Sequence, residues 1–274
     1  MNRISPFALA VSVVLGLAIA GLTEEPKPPK TVITGDRMNL LRKGAAVEFV
    51  GGVTLVRGND FMKADRMVSE EKKGLTEAWG RVYLRRDDPL GGVRWESWAE
   101  EGTYSSQISS GTLWGRGKPV KVHRSPLSAS TETQRMEMEA LRFTFYDRVV
   151  ESATQSTSAW TCVEAEGLVY VWMKESTPTV RDTQIWAHDA FYDGSMENVR
   201  FWGGYDSFRN DSRAADPKPV QPRARQTEGE EIRDLSGDEM TYFLNDKRLV
   251  VERNVRATIL TPDSPLEDVH APAR

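Results

Sequence analysis

Asp36-Arg37-Met38 is followed by Gly52-Val53-Thr54-Leu55, and Asp65-Arg66-Met67 by Gly80-Arg81-Val82-Tyr83-Leu84; in both, 17 residues separate the Asp from the first Val. The interval returns far along the chain. There Gly237-Asp238-Glu239-Met240-Thr241-Tyr242 precedes Asn254-Val255-Arg256-Ala257-Thr258-Ile259, with Asp238 and Val255 again 17 apart. Looser copies lie between: Ala99 to Tyr104 before Val120-Lys121-Val122, Leu141 to Tyr146 before Gly167 to Met173, and Ile185 to Tyr192 before Val199-Arg200-Phe201. A pattern returning at a fixed spacing marks a repeat architecture.

Each copy reads as a strand, a charged or glycine turn, and one or two further strands that alternate polar outward with apolar inward. One such unit cannot bury its own apolar face. Stacking successive hairpins buries a continuous stripe, as in jelly rolls and β-solenoids, and leaves unpaired strand edges on the terminal units. No apolar stripe of helical period persists over three turns, so the predicted class is all-β, built of stacked antiparallel strands. The stack is expected over 31–208. From 209 to 234, Asp216-Pro217-Lys218-Pro219 and Pro222 sit among charges, which predicts a disordered loop before a final β-repeat at 235–260. Residues 261–274, with Pro262, Pro265 and Pro272, read as a flexible tail.

The balance of 36 Lys and Arg against 40 Asp and Glu, net −4, offers no field for a polyanion, so no nucleic-acid partner is expected. A single cysteine, Cys162, can close no intramolecular disulfide and build no zinc site. The 39% of apolar residues must therefore supply the core unaided.

After Arg3 no charge occurs from Ile4 to Leu22, and Ala18-Ile19-Ala20 offers the small residues a signal peptidase accepts. Residues 1–20 read as a signal peptide, or 4–22 as an uncleaved inner-membrane anchor, since the stretch is also long enough to span a bilayer. Either way the body is exported, and a chain with one thiol suits the periplasm. Residues 21–30, rich in proline and charge, form a leader.

The strings Ile33-Thr34-Gly35-Asp36-Arg37-Met38, Ala46-Val47-Glu48-Phe49-Val50-Gly51-Gly52-Val53, Lys63-Ala64-Asp65-Arg66-Met67 and Glu77-Ala78-Trp79-Gly80-Arg81-Val82 resemble the periplasmic lipopolysaccharide-transport family. That family comprises the organic-solvent-tolerance-A-like bridge protein and its inner-membrane-anchored relative. The resemblance is best over 31–86 and returns at 235–259. It implies an open β-jellyroll, a folded-sheet trough whose apolar interior holds lipopolysaccharide acyl chains on their way from inner to outer membrane. It further implies partners of like fold, joined through terminal strand edges. The chain departs from the family in its length, its prolyl segment and its richness in tryptophan.

A trough fits the physics of such a cargo, because each acyl CH₂ left in water costs about 0.8 kcal/mol. Parity along the strands places Val53, Leu55, Val82, Leu84, Val120, Val122, Leu141, Phe143, Phe145, Val199, Phe201, Leu249 and Val251 inward, as the candidate lipid-binding residues. The same alternation fits a closed core. Arg57, Lys63, Arg85 and Arg86, near turns, read as a solvated face or as rim contacts for lipid phosphates.

Nothing assembles a catalytic or metal constellation, and no cofactor is expected. His123, His188 and His270 fall in different units. His188 and Asp189 are adjacent on a strand and so point to opposite faces, a poor dyad. Gly115-Arg116-Gly117-Lys118-Pro119 lacks phosphate-loop spacing and reads as a turn. Cys162 reads as a small buried hydrophobe, and Trp79, Trp95, Trp98, Trp114 and Trp172 as cross-strand packing. Two other classes remain open on the residues: a closed structural or adhesive β-repeat protein binding glycan or protein, and a polysaccharide-cleaving β-solenoid using Glu164 and Glu166.

Overall fold

The computed structural model describes residues 30–89, 92–127, 135–151, 157–176, 180–203 and 221–261. The segments predicted as signal or anchor (1–20 or 4–22), most of the predicted leader, residues 209–220 and the predicted tail beyond 261 lie outside them. The strands are β1 (Val32–Thr34), β2 (Arg37–Leu41), β3 (Ala46–Arg57), β4 (Asp60–Glu70), β5 (Leu75–Asp88), β6 (Val93–Ser105), β7 (Ser110–Trp114), β8 (Val120–Pro126), β9 (Arg135–Ala140), β10 (Arg142–Glu151), β11 (Thr157–Glu175), β12 (Arg181–Asp193), β13 (Asn198–Trp202), β14 (Arg223–Glu228), β15 (Glu231–Ser236), β16 (Glu239–Phe243), β17 (Arg248–Glu252) and β18 (Arg256–Leu260). Every pairing among them is antiparallel.

The long strands each serve two hydrogen-bonded ladders. In β3, β4, β5 and β11 the register shifts at a bulge, between Val50 and Val53, Lys63 and Arg66, Trp79 and Val82, and Glu166 and Val169. The halves on either side of those shifts belong to different ladders, because a bulge bends the strand and restarts its alternation. The first ladder runs β2, β3, β4, β5, β6, β7, β10, β11, β12, β13, β16, β17. The second runs β1, β3, β4, β5, β6, β8, β9, β11, β12, β14, β15, β18. One sheet is thus folded lengthwise, with a corner along one long side and a lip along the other: the stacked jellyroll that the repeat implied.

The corner explains the repeat. The Asp36 amide donates to the Gly51 carbonyl at 3.0 Å, and a Cβ on Gly51 would lie 2.4 Å from Asp36 Oδ2. At the next copy a Cβ on Gly80 would lie 2.5 Å from Asp65 Oδ2. Gly51 and Gly80 also stand at φ +84° and +74°, where a side chain is strained. Asp and Gly therefore face each other across the fold, and two residues after the glycine the chain re-enters a strand with Val53 or Val82 pointing in. The third copy makes the same turn without glycine: Arg253 and Asn254 have φ of 60° and 48°, and Asn254 Nδ2 donates to Asp238 Oδ2 at 2.7 Å.

Residues 223–234, predicted as part of a disordered loop, instead belong to β14 and β15. Composition misled because the inward positions of β14 are small or polar, Ala224 and Gln226, so the segment shows no apolar alternation. Its charges are the outer face of a ladder. Arg225 Nε donates to Asp234 Oδ1 across the β14–β15 hairpin at 2.7 Å, and Arg181 reaches Glu228 at 2.9 Å.

Candidate functional site

The candidate site is the space between the ladders. In the first ladder an unbroken row of register neighbours crosses it: Met38, Phe49, Met67, Ala78, Gly102, Leu113, Phe143, Ala165, Ala190, Phe201, Met240 and Val251. Facing it in the second are Ile33, Leu55, Met62, Leu84, Ser97, Val122, Met138, Val171, Ile185, Ala224, Leu235 and Ala257. Of the residues assigned inward from parity, Val53, Leu55, Val82, Leu84, Val120, Val122, Phe143, Phe145, Val199 and Phe201 are buried in this core, and Leu249 and Val251 are partly buried against it.

Leu141 is the exception, 36% exposed. Parity counted back from Phe143 crosses the corner, where alternation restarts. Leu141 occupies the turn position that Asp36 holds elsewhere, its amide donating to Gly167 O at 2.8 Å. His188 is also a corner residue, its amide on Gly203 O at 2.9 Å. That bend corrects the dyad argument, since it brings His188 Nδ1 to 2.8 Å from Asp189 Oδ2 on the outside of the fold. Among the described residues no cluster of metal-ligating side chains occurs.

The interior is filled by its own side chains. An enclosed void of about 20 Å³, lined by Leu84, Trp95, Leu113, Phe143, Phe145 and Val163 among others, has room for roughly one water. Room for anything larger requires the ladders to part. They are continuous at the corner, so parting falls to the lip.

The lip is closed by side chains reaching from one ladder to the other. Tyr104 O–H donates to Asp60 Oδ2 at 2.8 Å, and Arg86 bridges Asp60 at 3.1 Å and Asp147 at 2.9 Å. Further along, Trp95 packs edge-on against Tyr192 with centroids 4.9 Å apart, and Arg181 Nη1 donates to Lys247 O at 3.0 Å. Tyr242 O–H donates to Glu175, and Arg57 to Ser106 O. Burial, with the Asp60 charge beside it, pushes the Tyr104 hydroxyl up to about 12. Burial also raises Asp147, against the pull of Arg86 and with the push of Asp60 and Asp88. Sequence reasoning missed this row, and placed Arg86 on a solvated face or rim when it is buried. A charge at an inward parity position was the signal: Asp60, Arg86 and Arg124 each stand where Leu55, Leu84 and Val122 define the interior.

The two ends differ from the lip. At one, Met38 and Leu40 extend the interior rows yet are 60% and 69% exposed; at the other, Ile259 on β18 is 58% exposed. β1, β2, β17 and β18 each lack a strand on one side among the described residues. Cys162 is buried, and burial pushes its thiol up. No helix among the described residues is long and apolar enough to cross a membrane.

No family model matches the chain, and no curated protein matches it. Among solved structures the chain is similar to LptH, the LptA homologous periplasmic component of the conserved lipopolysaccharide transport device from Pseudomonas aeruginosa. The match spans 85% of this chain and 95% of that one, at 9% identity and a TM-score of 0.21. A likeness that slight carries no weight for function, which rests on the residues above.

Proposed function

We propose that the chain is a non-enzymatic periplasmic lipid carrier, which shields lipopolysaccharide acyl chains between its two ladders and passes them toward the outer membrane. The observation that supports this reading is the apolar row running the length of the fold and emerging at both ends on exposed side chains, Met38 and Leu40 at one and Ile259 at the other. A closed globular core has no reason to continue onto edge strands. An interior handed from one molecule to the next does. The unpaired edges fit docking to proteins of like fold by strand addition, in a chain that is soluble after signal cleavage or anchored through 4–22.

The test is a photo-crosslinking residue at Phe143, inside, and at Arg85 on the outer face, in protein made in a Gram-negative periplasm. Lipopolysaccharide captured at 143 alone is the expected result; no lipid at either position sinks the carrier.

A second reading has its own support. On the outer face of the second ladder, Phe61, Tyr83, Trp98 and His123 form a chain of ring contacts at 6.1, 5.6 and 4.7 Å. With the packed interior, that fits a structural or adhesive β-repeat protein meeting glycan or protein through its aromatic face. Absence of lipid at both positions favours it.

A further inference from the structure

Arg124 on β8 and Trp95 on β6 are register neighbours on the interior row nearest the lip. Both are buried, at 5% and 4% exposure. Arg124 Nε and Trp95 Nε1 each lack a hydrogen-bond partner. Both side chains pack on one ring across the fold: the Arg124 guanidinium carbon is 5.7 Å, and the Trp95 ring centroid 4.9 Å, from the centroid of Tyr192.

Arg86 sets the contrast. It stands on the same row, next to Trp95 on the other side, and it is as deeply buried, yet Asp60 and Asp147 hold it at 3.1 and 2.9 Å. Arg124 makes no ion pair among the described residues. Its side chain hydrogen-bonds the Tyr192 hydroxyl, a neutral partner that brings no balancing charge. A cation buried without a counter-ion is among the most destabilising arrangements a core can contain, and a lost indole bond adds to it. The two unpartnered N–H groups, Arg124 Nε and Trp95 Nε1, stand side by side, with Trp95 and Val122 on the wall of the interior void, and describe a place for an acceptor beyond the one that Tyr192 provides.

We propose that Arg124 and Trp95 form an anion subsite of the interior, holding the anionic oxygen at the head of an acyl chain, phosphate ester or carboxylate, while the chain runs along the apolar rows. This rests on the carrier reading and names the chemistry that orients its cargo. Arg124 supplies the charge and a fork of donors, Trp95 a single directed N–H, and Tyr192 the platform that fixes both.

The test is calorimetric titration of the full delipidated chain with dodecyl phosphate, dodecanoate and uncharged glycerol monolaurate, each below its micellar concentration. At least one charged chain is expected to bind about tenfold tighter than the uncharged one, as a charge-assisted bond in a buried site supplies. Preference for the phosphate points to a phosphorylated lipid as cargo, and preference for the carboxylate to a free fatty acid. Arg124→Met should abolish the preference while raising Tm, because it removes an uncompensated charge at similar volume. Trp95→Phe should weaken the charged chains several-fold relative to the uncharged one. Equal affinity for charged and uncharged chains, a preference that survives in both variants, or a fall in Tm for Arg124→Met would overturn the subsite. Failure of all three chains to bind would remove the carrier reading with it; uncharged binding without preference removes the subsite alone.

Discussion

Along the corner the ladders are joined by backbone, the Asp36 and Leu141 amides donating to Gly51 and Gly167 at 3.0 and 2.8 Å. Along the lip they are joined by side chains from distant strands, Tyr104 to Asp60 at 2.8 Å and Arg86 to Asp147 at 2.9 Å. The corner is covalently continuous in every long strand and cannot part without unfolding. The lip is held by polar contacts that water or a polar ligand can replace. A fold with one side sewn and the other buttoned has a built-in direction of opening, and its apolar interior faces that opening.

The largest effect is expected at the lip. Arg86→Ala leaves Asp60 buried and Asp147 half-buried with no cation between them, which should cost about 3 kcal/mol in urea unfolding, the low end of the range for breaking a buried ionic cluster. A cost below 1 kcal/mol would show the lip to be open to solvent and the clasp weak. Gly80→Ala at the corner comes next. Holding a side chain at φ +74° costs about 1–2 kcal/mol, and the Asp65 carboxylate must also turn away from the new methyl. Should Gly80→Ala prove more damaging than Arg86→Ala, the corner and not the lip would dominate closure.

The corner was legible in the sequence, and the lip was not, for a physical reason. Asp36, Gly51 and Val53 act through backbone over one hairpin, so their spacing is fixed by strand length and recurs wherever the hairpin recurs. Phe143 and Val199 were readable by parity for the same local cause. Parity failed at Leu141 because a corner interrupts the alternation, and it failed over β14 because Ala224 and Gln226 carry no apolar signal. Asp60 and Tyr104, or Arg86 and Asp147, meet only because the sheet folds over, and nothing in their spacing records it. Charged residues at inward parity were the available trace, and the one of them that was weighed, Arg86, read as rim or surface while the interior was taken to be purely apolar.

The titration of Asp147 sharpens the comparison with a smaller effect. Its carboxyl is raised above 3.8, first by burial. The folded chain therefore takes up this proton at higher pH than the unfolded one, so the group adds stability as pH falls from above its folded value to 3.8, and changes nothing outside that window. Wild type should gain on Asp147→Asn across that interval, measured as the difference in unfolding free energy at a series of pH values. A difference that shrinks toward acid would mean that the pull of Arg86 outweighs burial, and that the lip is wet.

The smallest effect belongs to Arg81, whose guanidinium grips Asp65 at the corner through three contacts at 3.0, 3.1 and 2.5 Å. On geometry alone this pair looks stronger than the Arg86 clasp, and the Asp65 carboxyl is held below its ordinary value chiefly by hydrogen bonding to Arg81. Both side chains are well exposed, however, at 86% and 45%. Water and salt screen the attraction, and two solvated ions lose little when separated. Arg81→Ala should leave the urea midpoint within experimental error of wild type at physiological salt. A loss comparable with that of Arg86→Ala would contradict the division drawn here, because the corner would then depend on side-chain chemistry as the lip does, and the fold would have no preferred side on which to open.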